Sequence, residues 1–415
     1  MLLALLLLTA APEVLTLDEA LALAEQSSPA LAQSRARTAG ADARSAGALA
    51  PLLPQLRADV GYSRGTANTP SAIKLDSYNQ LSSGVTVRQL VWDFGRTTES
   101  LGASEAELSA ARADERAAKN DLAFAVRAAW MDAVGARALL EVAKGAVANE
   151  ERHQVQVQAQ IGVGLRAPID LAQVKTVLAS ARADLVDAEQ AEMARRLELG
   201  RVIGTGGAPS PSPSSAGGED ALGPVAGEDA PLDELVARAL QARPELSAAE
   251  QIVRARERDV ASARGEDWPS VSAAASAHAG GAALDALAPN AVASVDLTWP
   301  LFSGLGTNAS VRASEAAAAQ ARALRDAVEL QLKVDVEAAL LQVRSARARL
   351  AALDEADRAA ADELELAEAR YKAGTGTIIE LGDAQARRVN ASARRVQAKT
   401  DLGVSRAALL RALGE

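Results

Sequence analysis

Four stretches of the chain alternate apolar and polar residues with a period of two. In 55–63 the apolar set is Leu56, Ala58, Val60 and Tyr62, against Arg57, Asp59, Gly61 and Ser63. In 80–88, Leu81, Ser83, Val85 and Val87 face away from Gln80, Ser82, Thr86 and Arg88. Val271, Ala273, Ala275 and Ala277 alternate with Ser272, Ser276 and His278; Ala293, Val295, Leu297 and Trp299 alternate with Ser294, Asp296 and Thr298. Period two predicts strands with one apolar and one polar face. The expected spans are 55–64, 80–92, 270–279 and 291–302, with loops over 64–79 and 280–290.

The rest reads as helix. The spans 17–48 and 232–264 begin with acidic residues that favour a helix start, and are interrupted at Pro29 and Pro244. No proline occurs over 96–161, and neither Gly nor Pro over 307–373. A helix filling the first of these spans is ~100 Å long and needs neighbours to bury its faces. Glycine-rich breaks at 161–165 and 374–376 separate these from helices over 166–202 and 377–413, so each long helix forms an antiparallel hairpin. One stretch resists the reading. Val328, Leu330, Leu332, Val334 and Val336 alternate with polar residues as a strand would. Without flanking turn signals it is assigned to helix, with apolar residues on two faces for two neighbours.

The two halves share one plan. Leu17-Asp18-Glu19 returns as Leu232-Asp233-Glu234, Pro29 as Pro244 and Pro54 as Pro269, all at one offset. Trp92 answers to Phe302, Gly164 to Gly374, Asp170 to Glu380 and Gly204 to Gly414, all at a second, slightly shorter offset. Fixed offsets of this size mark a duplicated unit, 15–204 and 232–414. The single change of offset marks a short deletion in the second copy, between its proline and its strand end. Between the repeats, 205–231 is rich in Pro, Gly and Ser and reads as a linker.

Composition narrows the class. Aromatics make up 2% of residues and charged residues 24%, with the net charge at −10. Small contact residues suit long packed helices, and the acidic balance argues against nucleic acid as a partner. The chain has no cysteine, which excludes disulfides and thiolate metal sites. Residues 1–11 resemble the apolar core of a secretory signal but lack its basic start, as a truncated signal peptide would. His153 and His278 are the only histidines, and neither has metal-ligand spacing. His153 is read as a solvated helix residue. Nothing indicates catalysis or a cofactor.

Seven of the ten aromatics lie in or beside the four strands: Tyr62, Tyr78, Trp92, Phe94, Trp268, Trp299 and Phe302. Strands of this length crossing a bilayer, with Trp and Tyr at their ends, suit a membrane barrel. Four strands cannot close one, so copies would have to combine. A soluble sheet covered by helices has the same period, and the pattern leaves both open. On either reading Arg57, Asp59, Arg88, His278 and Asp296 sit on the wet face.

These features resemble the outer membrane efflux proteins, often called TolC-like channels. The resemblance covers 15–414. It rests on the repeat, on Pro54 and Pro269 before strands, on Trp92-Asp93-Phe94-Gly95-Arg96 and Leu301-Phe302-Ser303-Gly304 after them, and on Val163-Gly164-Leu165 and Gly374-Thr375 at the helix breaks. It implies a mainly α fold with a small β part. Each repeat would give a helical hairpin and two strands to a trimeric twelve-stranded barrel, continuing into a periplasmic helical tunnel. It implies a passive homotrimeric conduit in outer-membrane lipid. A periplasmic adaptor would open it and couple it to an inner-membrane RND, ABC or MFS-type transporter, for efflux or type I secretion. Carried over by position, Val163, Gly164, Leu165 and Arg166, with Ala373, Gly374, Thr375 and Gly376, match the adaptor-contact tips. Glu380 and Asp383 match an acidic pair at the tunnel entrance, and Asp170 stands at the equivalent first-repeat place. Tyr62, Trp92, Phe94, Trp268, Trp299 and Phe302 would form the girdle. Some members carry a basic latch residue where Gly376 stands; Arg166, its first-repeat counterpart, is the substitute here. The competing readings are a soluble periplasmic coiled-coil adaptor or scaffold, and a non-conducting structural relative.

Overall fold

A computed structural model of the chain describes residues 14–69, 72–164, 166–211 and 222–415. The expected leader 1–11, Leu165 and the Pro/Ser tract 212–221 lie outside them. The first repeat runs β1 (Val14–Leu15), α1 (Leu17–Ser27), α2 (Pro29–Leu49), β2 (Gln55–Thr69), β3 (Ala72–Trp92), α3 (Arg96–Gly162), α4 (Pro168–Ile203) and β4 (Ser210–Pro211). The second runs α5 (Leu232–Ala242), α6 (Pro244–Arg264), β5 (Ser270–Gly281), β6 (Ala288–Thr298), α7 (Gly306–Lys372) and α8 (Ile378–Leu413). Corresponding helices match in length: 11 residues for α1 and α5, 21 for α2 and α6, 67 for α3 and α7, 36 for α4 and α8.

Proline sets two of the breaks. Ser28 and Arg243 precede Pro29 and Pro244 and are extended, at ψ 122° and 119°. The residue before proline is kept from the α region, so the expected spans 17–48 and 232–264 are each two helices. Gly204 and Gly414 close α4 and α8 in the left-handed region, at φ 88° and 90°, which glycine adopts without a Cβ clash.

The chain divides into two compact units. One comprises the chain up to Ser34, with Glu115–Pro244 and Glu329–Glu415; the other comprises Arg35–Asp114 and Glu245–Val328. The first unit holds two cores that repeat each other. Leu122, Val126, Trp130, Ala133, Leu199 and Ile203 anchor one; Val336, Leu340, Val343, Leu409 and Leu413 anchor the other, joined by Leu235 and Ala239. The positions shared on the long helices recur at the shorter offset, as Val126 does at Val336 and Leu199 at Leu409, and those on the first helix of each repeat at the longer one, as Ala24 does at Ala239. The ambiguous stretch is helical within α7. Leu332 and Val336 are buried, while Leu330 and Val334 face out. Close helix packing needs small residues: a Cβ at Gly403 would lie 2.2 Å from Met131 Cε.

The linker reading of 205–231 needs correction at both ends. Ser210–Pro211 pairs in parallel with Val14–Leu15, and Val225 belongs to the second core. Glu228 is buried against Arg406. Polar, proline-rich composition hid these anchors because only a few of the residues carry the burial. Gly200 fixes the near end of this segment. A Cβ there would lie 1.7 Å from the Gly207 carbonyl oxygen, a backbone atom that cannot step aside cheaply. Gly200→Ala is therefore expected to destabilise by about 1–3 kcal/mol. The thermal midpoint in detergent measures this; an unchanged midpoint would mean that the segment re-routes freely.

The second unit carries one sheet in the order β2-β3-β5-β6, antiparallel throughout. Two expected boundaries move. The loop expected over 64–79 is largely ladder, with Arg64 opposite Asn79 and Thr66 opposite Ser77. Gly65, Asn68 and Pro70 read as turn residues and the apolar residues around them keep no regular alternation, so period two is lost although the hydrogen bonds continue. Likewise β6 begins at Ala288 inside the loop expected over 280–290 and ends at Thr298, short of the expected 302. Pro300 cannot donate to a ladder. Ion pairs tie the helical segments beside the sheet: Arg256 to Glu107 at 2.8 Å, Arg322 to Glu257 and Arg264 to Glu315 at 2.6 Å.

Candidate functional site

The two hairpin turns are built alike. Gly164 and Gly374 both take φ 78°, reversing the chain after α3 and α7. Thr375 and Gly376 N–H both donate to the Arg370 carbonyl at 3.0 Å, a tight close for α7. Gly376 is buried there, with a Cβ position 3.0 Å from Tyr371 N. A side chain at the latch position would have to displace backbone. Val163, Ala373 and Thr375 are exposed at the turns, with Ile169 and Ile379 just beyond them.

Arg166 is drawn inward. Its guanidinium carbon lies 4.3 Å from the ring centroid of Tyr371, so the first-repeat turn is tied to the end of α7. Burial pushes the Tyr371 phenol above its ordinary value; Arg166 opposes this and Asp170 adds to it. Asp170 is thus near enough to Tyr371 for its charge to act on the phenol. Glu380 folds back on its own helix: its carboxylate accepts from Thr377 N at 3.2 Å, and Thr377 Oγ1 accepts from Glu380 N at 3.1 Å. This reciprocal cap satisfies two helix-start donors, and Arg370 lies 3.8 Å away. Asp383 stands one turn further on, exposed. Thr377→Ala should cost α8 about 1 kcal/mol, read as faster amide exchange in its first turn.

His153 corrects the solvated reading. It is 7% exposed, and its ring meets Tyr371 edge-on at 5.6 Å. Tyr371 itself is 2% exposed. Neither residue was marked as a site residue in the sequence. The available signal was an aromatic at a helix end, in a chain with few aromatics away from its strands.

The sheet register sorts the polar strand residues. Asp59, Gly84, His278 and Asn290 form one cross-strand row. Arg57, Arg88 and Asp296 fall on the same face by parity. The His278 ring lies over Gly84, where a Cβ would be 2.2 Å from Nδ1. The opposite face presents Leu56, Val60, Val85, Val295 and Leu297, with Val60 86% exposed. Aromatics gather at one end of the sheet. Phe94 stacks on Trp268 at 5.3 Å, Trp92 meets Phe94 edge-on at 6.0 Å, and Trp299 Nε1 donates to the Asp267 carbonyl at 3.1 Å. Phe302 follows β6, exposed. Towards the other end Tyr62, opposite Leu81, donates to Asn79 Oδ1 at 3.2 Å. From Leu81 to Trp92 the strand covers ~36 Å, or ~27 Å at a barrel tilt of ~40°. The apolar band of an outer-membrane barrel is ~25 Å tall.

A duplicated helical hairpin, with an open sheet that is apolar on one face and edged by aromatics, defines an outer-membrane channel protein. The profile of the outer membrane efflux protein family matches residues 20–205 and 235–415, and the chain belongs to that family. It is 27% identical to the outer membrane efflux protein BepC of Brucella suis over 414 residues, covering 96% of this chain and 85% of the relative. It is 28% identical to the protein CyaE of Bordetella pertussis over 405 residues, covering 97% and 84%. The fold matches the crystal structure of a membrane protein from Pseudomonas aeruginosa with a TM-score of 0.84, at 22% identity over 96% of this chain and 93% of that one. The protein is an outer-membrane efflux channel with its helices in the periplasm. Family members work as trimers with adaptor proteins and inner-membrane pumps.

Proposed function

We propose that three copies of this chain close their sheets into one twelve-stranded barrel through outer-membrane lipid, forming a passive export conduit without catalytic activity. The observation that carries this is the open edge. Among the described residues β2 and β6 each have one sheet neighbour, while the face between them is apolar and exposed. Lipid does not satisfy free N–H and C=O groups, so each β2 edge must meet the β6 edge of the next copy. Arg57, Asp59, Arg88, His278 and Asp296 then line the wet interior, and Tyr62, Trp92, Phe94, Trp268, Trp299 and Phe302 lie at the lipid interfaces.

At the hairpin turns, Val163, Gly164, Leu165 and Ala373, Gly374, Thr375 form the surface that a periplasmic adaptor docks on. The exposed valine and glycine backbone there allow close approach. Arg166 and Gly376 shape those turns from within. Asp170, Glu380 and Asp383, repeated threefold, set a negative field at the entrance that favours cations. Through the adaptor the conduit is coupled to an inner-membrane transporter of the RND, ABC or MFS type.

Fractionation tests the assembly. The expected result is a detergent-dependent trimer in the outer-membrane fraction that falls to monomer on heating. A monomer soluble without detergent would overturn the barrel, and the strands would then belong to a covered sheet of a periplasmic scaffold.

A further inference from the structure

Beside the sheet the two repeats meet along one seam, where α6 packs on α3. Ser262 Oγ donates to the Arg96 carbonyl at 3.0 Å, and Arg258 reaches Glu99 at 3.2 Å. Two glycines permit the approach. A Cβ at Gly102 would lie 2.5 Å from Arg258 Nη1, and one at Gly265 would lie 2.9 Å from Arg96 Cβ. Phe94 stacks on Trp268 at the end of the same seam. The duplication provides both surfaces a second time, on α2 and on α7. The two repeats are folded alike here: Arg112 pairs with Asp42 between α3 and α2 at 3.5 Å, and its counterpart Arg322 pairs with Glu257 between α7 and α6 at 2.6 Å.

The second pair of surfaces is bare. Ala43, Gly47, Ala50 and Leu53 stand at the places of Arg258, Ser262, Gly265 and Trp268, and all four are exposed. Gly306, Ala309 and Arg312 stand at the places of Arg96, Glu99 and Gly102, and are exposed too. Beside them Leu301 and Phe302 are 81% exposed. A Cβ at Gly47, Gly304 or Gly306 would meet open space, unlike one at Gly102 or Gly265. Sizes are exchanged across the bare pair. Arg258 over Gly102 becomes Ala43 with Arg312, and Gly265 against Arg96 becomes Ala50 with Gly306. The two bare surfaces thus complement each other as the packed ones do. Backbone strain agrees. Phe94 and Leu305 are left-handed, at φ 55° and 68°, a conformation that persists in such residues where packing enforces it. Phe94 has the Trp268 ring against it, whereas Leu305 is exposed.

We infer that the α2 face of one copy docks on the α7 face of the next, repeating the α6–α3 seam between chains. The sheet dictates the occupant. The packed seam joins the helices next to β3 and β5, which pair at the middle of the sheet; α2 and α7 adjoin β2 and β6, its outer strands. Those faces meet when β6 of one copy lies beside β2 of another. Leu301, Phe302 and Leu305 then cover Leu53 of the next copy. The same equivalence sets the register: Arg88 opposite Ala274 within the sheet becomes Thr298 opposite Asp59 of the next copy, both on the wet face. The inference rests on the trimer proposed above and names the surface that closes it.

The chain has no cysteine, so an introduced pair is free of background thiols. Ala50→Cys with Gly306→Cys places one thiol on each bare face, at the counterparts of Gly265 and Arg96. Oxidising the detergent-solubilised full chain with diamide should move most of the monomer into covalent dimer and trimer on a denaturing gel, with reductant reversing it and either single variant staying monomeric. Independently, Phe302→Ser with Leu305→Ser should lower the temperature at which the trimer dissociates by several degrees. Leu284→Ser, at a 79% exposed leucine between β5 and β6, should leave it unchanged. A detergent-dependent trimer that never cross-links at this pair, and whose dissociation ignores Phe302 and Leu305, overturns the surface, leaves the channel standing and gives the face to a different protein. A disulfide formed only within single chains overturns the surface as well. A monomer soluble without detergent overturns the channel and the surface together.

Discussion

Glu228→Ala is expected to be the most destabilising single substitution considered, by about 3–5 kcal/mol. The Glu228 side chain is 2% exposed; it accepts from Val225 N at 3.0 Å and from Arg406 Nε at 3.2 Å. Arg406 is almost as buried and also donates to the Leu222 carbonyl at 2.9 Å. Deleting the carboxylate leaves a guanidinium in the protein interior facing only a carbonyl, and desolvation of that charge is what costs. Arg406→Ala strands the carboxylate instead and should cost a similar amount. Arg347 also reaches Glu228, but it is 43% exposed, so Arg347→Ala should stay under about 1 kcal/mol. Removing both Glu228 and Arg406 should cost less than the sum, because neither charge is then left alone. Denaturation midpoints of the four variants give the ranking. Arg347→Ala as damaging as Glu228→Ala would mean that the buried pair is not what anchors the segment after the Pro/Ser tract.

That anchor was invisible in the sequence for a physical reason. A linker and a strap share the same small, polar, proline-rich residues; what separates them is one valine and one glutamate meeting a distant core. The duplication was legible because the equal offsets of Gly164 with Gly374 and of Gly204 with Gly414 survive without any knowledge of packing. The faces of the long helices were not. A helix of 67 residues changes neighbours along its length, so no single apolar stripe runs from end to end, and His153 could not be placed inside or outside by periodicity. The strands were read correctly where the alternation is regular and missed over 64–79, where Gly65, Asn68 and Pro70 read as turn residues. The acidic pair at the start of α8 was legible as a pair, but Thr377 lies three residues before Glu380 and spends that carboxylate on a cap. Arg166 was singled out by its repeat position opposite Gly376. Its partner Tyr371 needed the structure.

Arg166→Ala should have the largest effect on conduction. In each copy the guanidinium covers the Tyr371 ring at 4.3 Å, joining the first-repeat turn to the helix that ends at the second. A partly desolvated cation–aromatic contact is worth about 1–2 kcal/mol. In the trimer proposed here the entrance opens as three hairpin pairs move apart together. Three copies of the contact would then bias the closed state by about 3–6 kcal/mol, which shifts the open-to-closed ratio by about 10²–10⁴. Arg166→Ala is expected to convert brief, rare openings into a sustained high conductance in planar bilayers. Arg166→Lys keeps the charge but loses the flat guanidinium face, and should fall between the two. Tyr371→Phe keeps the ring and removes only a hydroxyl that has no hydrogen-bond partner among the described residues, so its conductance should stay near wild type, whereas Tyr371→Leu should behave as Arg166→Ala does. The ring rather than the hydroxyl is the test. If Tyr371→Phe opens the channel and Arg166→Ala does not, the turns are held by a bond through the phenol, and the stacked arginine is a bystander.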